Sequence, residues 1–369
     1  MMYSVISEIN KLRDGRKLNI DCKNSNRYRL VTAEEDGTKT AYCFGVPVYN
    51  RETGKLIDLH FQKDRDTLCV QGSDMRAFLK DDIALVNRTG RITLCSENFT
   101  PGGACDVIPT TNGIALRVPC AGERTHSVTM TAEPPFMSVR GNNKCFSLMR
   151  EEFQPFVTVS CIGTLDTEGK ISAPCSIDYQ KTDEKNFTFT VTPQGTGAGA
   201  VFYEINLYEP KLFRDTTVES MYPTENNAFG SVAFLGRTNA YGEQWLYSAI
   251  DISKIPELLD RKILRALWHV PQYTSNDMTL SAFGVSSRFC SFGSTWQSKI
   301  RETEQITGSV IRGEYQTLDI TPVITDRDTQ HLTQSEGLIL RIGEKDGGFL
   351  TVATGDNCLT PQILEISFR

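Results

Sequence analysis

Histidine is scarce in this 369-residue chain, which has four: His60, His126, His269 and His331. None neighbours another and no His-Glu-x-x-His string occurs. The helical histidine pair of a zinc protease is therefore excluded. His269 follows Trp268 in a strand-like run and reads as a surface or edge histidine. Long apolar runs are missing too, and nothing approaches the roughly 18 apolar residues of a membrane-spanning helix. The opening Met1-Met2-Tyr3-Ser4-Val5-Ile6-Ser7-Glu8 has no basic segment and meets a charge before an apolar stretch forms. It predicts no secretory signal. No Leu-Pro-x-Thr-Gly-like sorting tail is present either.

A basic excess is absent. Net charge is −6 and Lys and Arg are scattered, the densest run being Lys11 to Lys17. A nucleic-acid binder needs a basic stripe to meet phosphates, so that class is set aside. Cysteine is plentiful, with eleven, but no two lie closer than Cys95 and Cys105. Without a Cys-x-x-Cys pair there is no zinc-site spacing. An odd number also leaves at least one thiol unpaired within the chain. Strand-like settings around Cys43, Cys69, Cys95, Cys145 and Cys161 read them as small buried apolar residues of a protein made in a reducing cytoplasm.

What is present is β patterning. Leu364, Ile366 and Phe368 alternate with Glu365 and Ser367, the period of a strand with one covered face. Ile92/Leu94, Ile114/Leu116/Val118, Val128/Met130, Val157/Val159/Cys161 and Phe187/Phe189/Val191 alternate in the same way, with Thr or Ser on the other face in the later ones. Ala200–Tyr208 is a further strand. Gly337–Ile342 and Phe349–Val352, flanking Asp346-Gly347-Gly348, read as a hairpin. Two helices are expected. Val5, Ile6, Ile9 and Leu12 fall at helical spacing before Asp14-Gly15, and Ser73 opens a single helix to Lys80. Pro101-Gly102-Gly103 is a loop. The fold class is all-β: two or three antiparallel β-sandwich modules in tandem after a short N-terminal helix. The expected divisions are a leader or docking segment over 1–26, a module over 27–120, a second over 121–210 that can form one domain with it, and a third over 211–369.

The third module carries an ordered set of segments. Asp215-Thr216-Thr217-Val218 opens it, followed by Pro223 and Asn226-Asn227-Ala228-Phe229-Gly230. Trp245 to Ile252 with Ile255-Pro256 comes next, then Ile263 to Leu267, Ser294-Thr295-Trp296, Leu318-Asp319-Ile320-Thr321, Gly337–Leu340 and Thr360–Phe368. In order and spacing this part resembles the DNRLRE family, a jelly-roll surface module of bacterial and archaeal proteins, although the string that names the family is absent. The resemblance implies a fold and not a reaction.

Catalytic patterns are wanting. Gly284-Val285-Ser286-Ser287-Arg288 lacks the second glycine of a hydrolase elbow. Gly195-Thr196-Gly197-Ala198-Gly199 is followed by a strand rather than by the helix N-terminus that a phosphate loop requires, and reads as a hairpin connection. Asp81-Asp82 and Glu151-Glu152 are adjacent, so they point apart on a strand instead of facing each other across a cleft. Asp326-Arg327-Asp328 offers oxygens for one structural calcium ion; no other cofactor is expected. Among the tryptophans, Trp245 and Trp268 read as core. Trp296 lies in the loop-like Gly293-Ser294-Thr295-Trp296-Gln297-Ser298. It either lids the core, the favoured role, or stacks a sugar, whose C–H face is apolar while its hydroxyls need polar partners.

No catalytic residue is assigned. The expectation is a structural, non-catalytic component of a phage-like particle: a virion, tailocin or contractile injection system, as head decoration, tail adaptor or fibre part. It would be made in the cytoplasm, end in the particle, dock to other particle proteins and form homo-oligomers, with no nucleic-acid or membrane partner. The alternative is a carbohydrate-binding adhesive module using Trp296. A polysaccharide-acting enzyme on a β scaffold ranks third.

Overall fold

Along the strand His126–Glu133 buried side chains alternate with exposed or half-buried ones from end to end, and the neighbouring strand Asn186–Pro193 keeps the same period. One face of such a strand is committed to a core and the other to solvent. The computed structural model describes the chain outside residues 1–4, 14, 17, 51–52, 57–60, 65–66, 71–74, 80–81, 97–98, 100–104, 121–124, 196–197, 209–211, 252–253, 256–260, 275–276, 326–336 and 344–347. Its regular elements are antiparallel strands, with short helices at Val5–Leu12 and Thr321–Thr325. The chain is all-β as expected, with curled antiparallel sheets and a short N-terminal helix. It divides into two units, one of residues 57–210 with Phe229–Ser231, the other of residues 4–56, 211–228 and 232–369.

The first unit pairs two sheets. One runs in the order Asp106–Pro109, Gly113–Pro119, Ala200–Leu207, Gln154–Leu165, Cys145–Glu151, Ser138–Gly141, with Ile171–Ala173 also on Gln154–Leu165. The other runs Cys175–Lys181, Asn186–Pro193, His126–Glu133, Gly90–Cys95, Ile83–Asn87, Arg76–Leu79, Thr67–Val70, Phe61–Asp64. Aromatic rings lock them face to face. Phe146 of the first sheet lies 4.9 Å from Phe187 and 5.7 Å from Phe189 of the second, and Tyr203 lies 6.0 Å from Phe189. Strands from either side of residue 120 lie in both sheets, because Gly113–Pro119 pairs with Ala200–Leu207 and Gly90–Cys95 with His126–Glu133.

Two expectations fail here. Arg76–Leu79, read as part of a helix, is a strand between two others, with Ala77 buried and Arg76 and Phe78 exposed. Its period is two, and one serine ahead of a short run cannot outweigh cross-strand pairing. The strands flanking the glycine segment, Asn186–Pro193 and Ala200–Leu207, are not a hairpin pair but lie in different sheets; residues 196–197 between them lie outside the described residues. The Gly199 N–H donates to Leu165 O at 2.8 Å, and a Cβ on Gly199 would stand 2.8 Å from Asp166 O. Glycine is needed there for close backbone approach.

In the second unit one twelve-stranded sheet curls over its own core. Its first stretch is Arg29–Ala33, Lys39–Phe44, Ile363–Phe368, Ile263–Pro271 and Tyr315–Asp319. The long strand Glu302–Arg312 then turns the corner: Ser309–Arg312 pairs with Tyr315–Leu318, while its earlier part pairs with Leu280–Val285. Leu338–Ile342, Gly242–Ile250, Val232–Thr238 and Phe349–Ala353 follow, and Phe213–Glu219 lies along Gly242–Ile250. Trp268, Leu364 and Ile366 from the first stretch share one core with Leu246, Leu340, Leu350 and Val352 from the second.

The expected hairpin of Gly337–Ile342 with Phe349–Val352 does not form. Leu338–Ile342 pairs with Gly242–Ile250 and Leu280–Val285, and Phe349–Ala353 pairs with Val232–Thr238. A glycine-rich connection breaks the chain's direction without naming the partner strand. Nor does this unit begin at residue 211, since Lys39–Phe44 pairs along its whole length with Ile363–Phe368. The helix Val5–Leu12 belongs here as well. It buries Val5, Ile9 and Leu12, and Tyr315 donates its hydroxyl to Glu8 at 2.6 Å. The described part of the 1–26 leader thus packs within its own chain. Arg13, fully buried, holds Glu34 at 2.7 Å and 3.0 Å. Burial disfavours its charge, but the hydrogen bonds to Glu34 and Tyr42 prevail and raise its pKa.

Candidate functional site

Strand parity decides where the tryptophans go. In Gly242–Ile250, Leu246 and Ile250 face the main core of the second unit, while Trp245, Tyr247 and Ala249 fall on the opposite face. There Tyr247 stands level with Ile339, and Ile339 with Phe283, across three neighbouring strands. Val218, Tyr247, Ala249, Val285, Phe289 and Ile339 form a small second core on this outer face, with Trp245, Phe283, Trp296 and Ile300 half-buried against it.

The loop over residues 286–301 covers that face, and the Asn226-Asn227 pair holds it. Asn226 donates its side-chain amide to Ser291 O at 2.7 Å and to Ser294 O at 2.8 Å. Asn227 donates to Thr217 O at 2.9 Å, tying the same turn to the strand below. The Gln297 N–H donates to Pro223 O at 2.8 Å. Tyr247 donates its hydroxyl to Ile300 O at 2.7 Å. Burial, with the charge of Glu302, keeps that phenol protonated well above the usual tyrosine range.

Trp296 is thereby set beside Trp245, ring centroids 5.4 Å apart and planes inclined by 58°. The Lys299 ammonium lies 3.6 Å from the Trp296 ring centre and 4.4 Å from that of Trp245, between the two indoles. Such a cation–π contact contributes on the order of 0.5–1 kcal/mol at an exposed site. The rim is charged and paired. The Trp245 indole N–H donates to Glu243 at 2.8 Å. Arg341 lies over Phe283 and makes a two-point ion pair with Glu302 at 2.9 Å and 3.0 Å. Trp296 therefore neither lids the main core nor lies bare. Trp245, expected in the core, shares the outer site with it; only Trp268 is a core tryptophan, stacked on Phe213 at 5.8 Å.

Other candidates resolve differently. His269 is fully buried rather than at an edge, with Nδ1 2.9 Å from Thr317 Oγ1 and Nε2 3.2 Å from Glu365 Oε2. It is enclosed because Tyr315, its ring neighbour, is held in turn by the N-terminal helix through Glu8. His126 is buried between Phe99 and Tyr203, and burial pushes its pKa down to about 4. Cys43, Cys145, Cys161, Cys175 and Cys358 are buried, whereas Cys22, Cys95 and Cys290 are exposed, contrary to a uniformly apolar role. Burial pushes the Cys161 thiol far up, and a hydrogen bond with Cys175 adds to the shift.

His60, His331, Asp81 and Asp326-Arg327-Asp328 lie outside the described residues. Among the described residues, no group of three or more His, Cys, Asp or Glu is placed to hold a metal ion. Among them, too, no helix is long and apolar enough to cross a membrane.

A second exposed feature was not legible in the sequence. Ser138–Gly141 ends the order of its sheet. Met137, just before it, is 62% exposed, and Phe153, in the turn between Cys145–Glu151 and Gln154–Leu165, is 60% exposed. Both stand at the same end of that edge, since the Met137 N–H donates to Met149 O at 2.8 Å and Met149 pairs with Pro155. The Arg140 guanidinium lies 5.7 Å from the Phe153 ring centre, and Lys181 donates to Met137 O at 3.0 Å. No family model matches the chain, and no curated protein matches it either.

Proposed function

We propose that this chain is a structural, non-catalytic protein that works by docking to other proteins, as a component of a phage-like particle. The observation that carries the reading is the edge strand Ser138–Gly141 with Met137 and Phe153 exposed beside it. A sheet edge turns one row of N–H and C=O groups outward and can accept a strand from another chain. Natural proteins usually blunt such edges, and large apolar side chains left exposed there mark contact surfaces. The DNRLRE-like order of segments in residues 211–369 supports a surface role in the same direction.

The test is gradient sedimentation of the untagged chain produced from its own genomic context. The chain is expected in a fast-sedimenting fraction with other particle proteins, and Met137→Lys with Phe153→Lys is expected to move it to the slow fractions while leaving it folded. Recovery of the wild-type chain only as a free monomer would contradict the proposal.

A second reading, binding of a glycan, is favoured by the half-buried Trp245–Trp296 pair and its polar rim. Two inclined indoles beside carboxylates and cations match a pyranose, whose apolar face stacks while its hydroxyls hydrogen-bond.

A further inference from the structure

We infer that the Trp245–Trp296 site takes a neutral pyranoside and that Lys299 is its displaceable cap; this rests on the glycan reading above. The first ground is charge. Around the indoles stand two cations, Lys299 and Arg341, and two carboxylates, Glu243 and Glu302. Arg237 stands opposite Glu243 on the neighbouring strand, so the rim mixes both signs rather than presenting a field of one sign. It presents both acceptors and donors, and a neutral sugar hydroxyl is both donor and acceptor. A uronate would bring its carboxylate beside Glu243 and Glu302, and like charges at short range repel.

The second ground is geometry. The Lys299 ammonium is in contact with the Trp296 face and within 4.4 Å of the Trp245 centre, so it occupies the surface on which a sugar ring would stack. Lysine is a flexible stem with a compact charge, and its backbone N–H is hydrogen-bonded to Trp296 O at 3.3 Å, which fixes the stem's root beside the ring. Swinging the ammonium aside uncovers the indole and leaves a donor at the rim for a sugar hydroxyl. Trp296 and Trp245 are the stacking residues, and Asn226 is a positioning residue that acts through the loop carrying Trp296.

Titration of the full chain with cellohexaose, mannohexaose, hexagalacturonate and choline, followed by tryptophan fluorescence, tests this. A neutral hexasaccharide is expected to give a saturable change and to protect the wild-type indoles from iodide quenching. Trp296→Ala is expected to weaken binding by about tenfold or more, and Lys299→Ala to bind the neutral hexamer at least as tightly as wild type. Iodide protection on the wild-type chain does not depend on any variant folding. Preferential binding of hexagalacturonate, with Lys299→Ala weakening it, would overturn the neutral-sugar inference while leaving the glycan reading standing. Choline as the only ligand, or no saturable response to any saccharide, would sink both.

Discussion

Two patches on the described surface differ in how their aromatic rings are set. At the edge strand Ser138–Gly141 of the first unit, Met137 and Phe153 project into solvent, with the Arg140 guanidinium 5.7 Å from the Phe153 ring centre. On the outer face of the second unit the aromatic rings lie half-buried, and each is engaged by a charged group. An open strand with apolar neighbours suits another polypeptide, which supplies backbone partners and apolar side chains at once. Rings rimmed by paired charges suit a small polar ligand with an apolar face. The difference teaches that a cation beside a ring does not distinguish the two patches, since both have one; the sheet edge beside the first and the half-burial of the rings in the second do.

Substitutions can break that comparison, beginning with the largest effect. Phe146→Ala, which empties the ring cluster of the first unit, is expected to cost about 3–5 kcal/mol in chemical denaturation. Trp296→Ala should cost clearly less; an equal cost would make Trp296 a core residue and remove the outer site. Second comes acid. His126 is held neutral, with its pKa lowered from 6.5 to about 4. Above 6.5 it is neutral in both states and contributes no pH dependence. Below that value the unfolded chain binds the proton first, so stability falls until both states are protonated below about pH 4. The loss is roughly 3 kcal/mol, and His126→Phe should remove it from denaturation curves measured between pH 7 and 4.

Third, Asn226→Ala is expected to cost about 1–3 kcal/mol, because it leaves loop carbonyls without their donor. It should also shift the tryptophan emission by loosening Trp296, an effect that Met137→Lys lacks. Smallest are the surface changes. The pair Met137→Lys with Phe153→Lys should stay within about 0.5 kcal/mol of wild-type stability, and Lys299→Ala, which removes its cation–π contacts, within about 1 kcal/mol, so that any change in ligand binding or sedimentation reports the surface itself.

Much of the fold was legible because strand periodicity is local. Ile363–Phe368 and His126–Glu133 announce themselves by alternation. Partner choice is not local: nothing near Lys39–Phe44 says that it pairs with Ile363–Phe368 more than 300 residues away. Glycine-rich segments at 195–199 and 343–348 mark a change of direction but not a destination, so crossings between strands read as hairpins. Of the site, Trp296 was legible and Trp245 was misplaced. The signal was available, since Leu246 and Ile250 share one parity and Trp245 and Tyr247 the other. His269 was misread because its cover comes from Glu8 and Tyr315, remote from it in sequence. Met137 and Phe153 gave no warning because exposure depends on which strand ends the sheet.

Site-specific photocrosslinking at Ser138 in the chain's native context tests the proposed docking at this edge most directly, with Glu168, an exposed turn residue of the same unit, as control. The account predicts a discrete crosslink from Ser138 to a particle protein identified by mass spectrometry, lost on Phe153→Lys and absent from Glu168. Equal or no crosslinking at the two positions would contradict it.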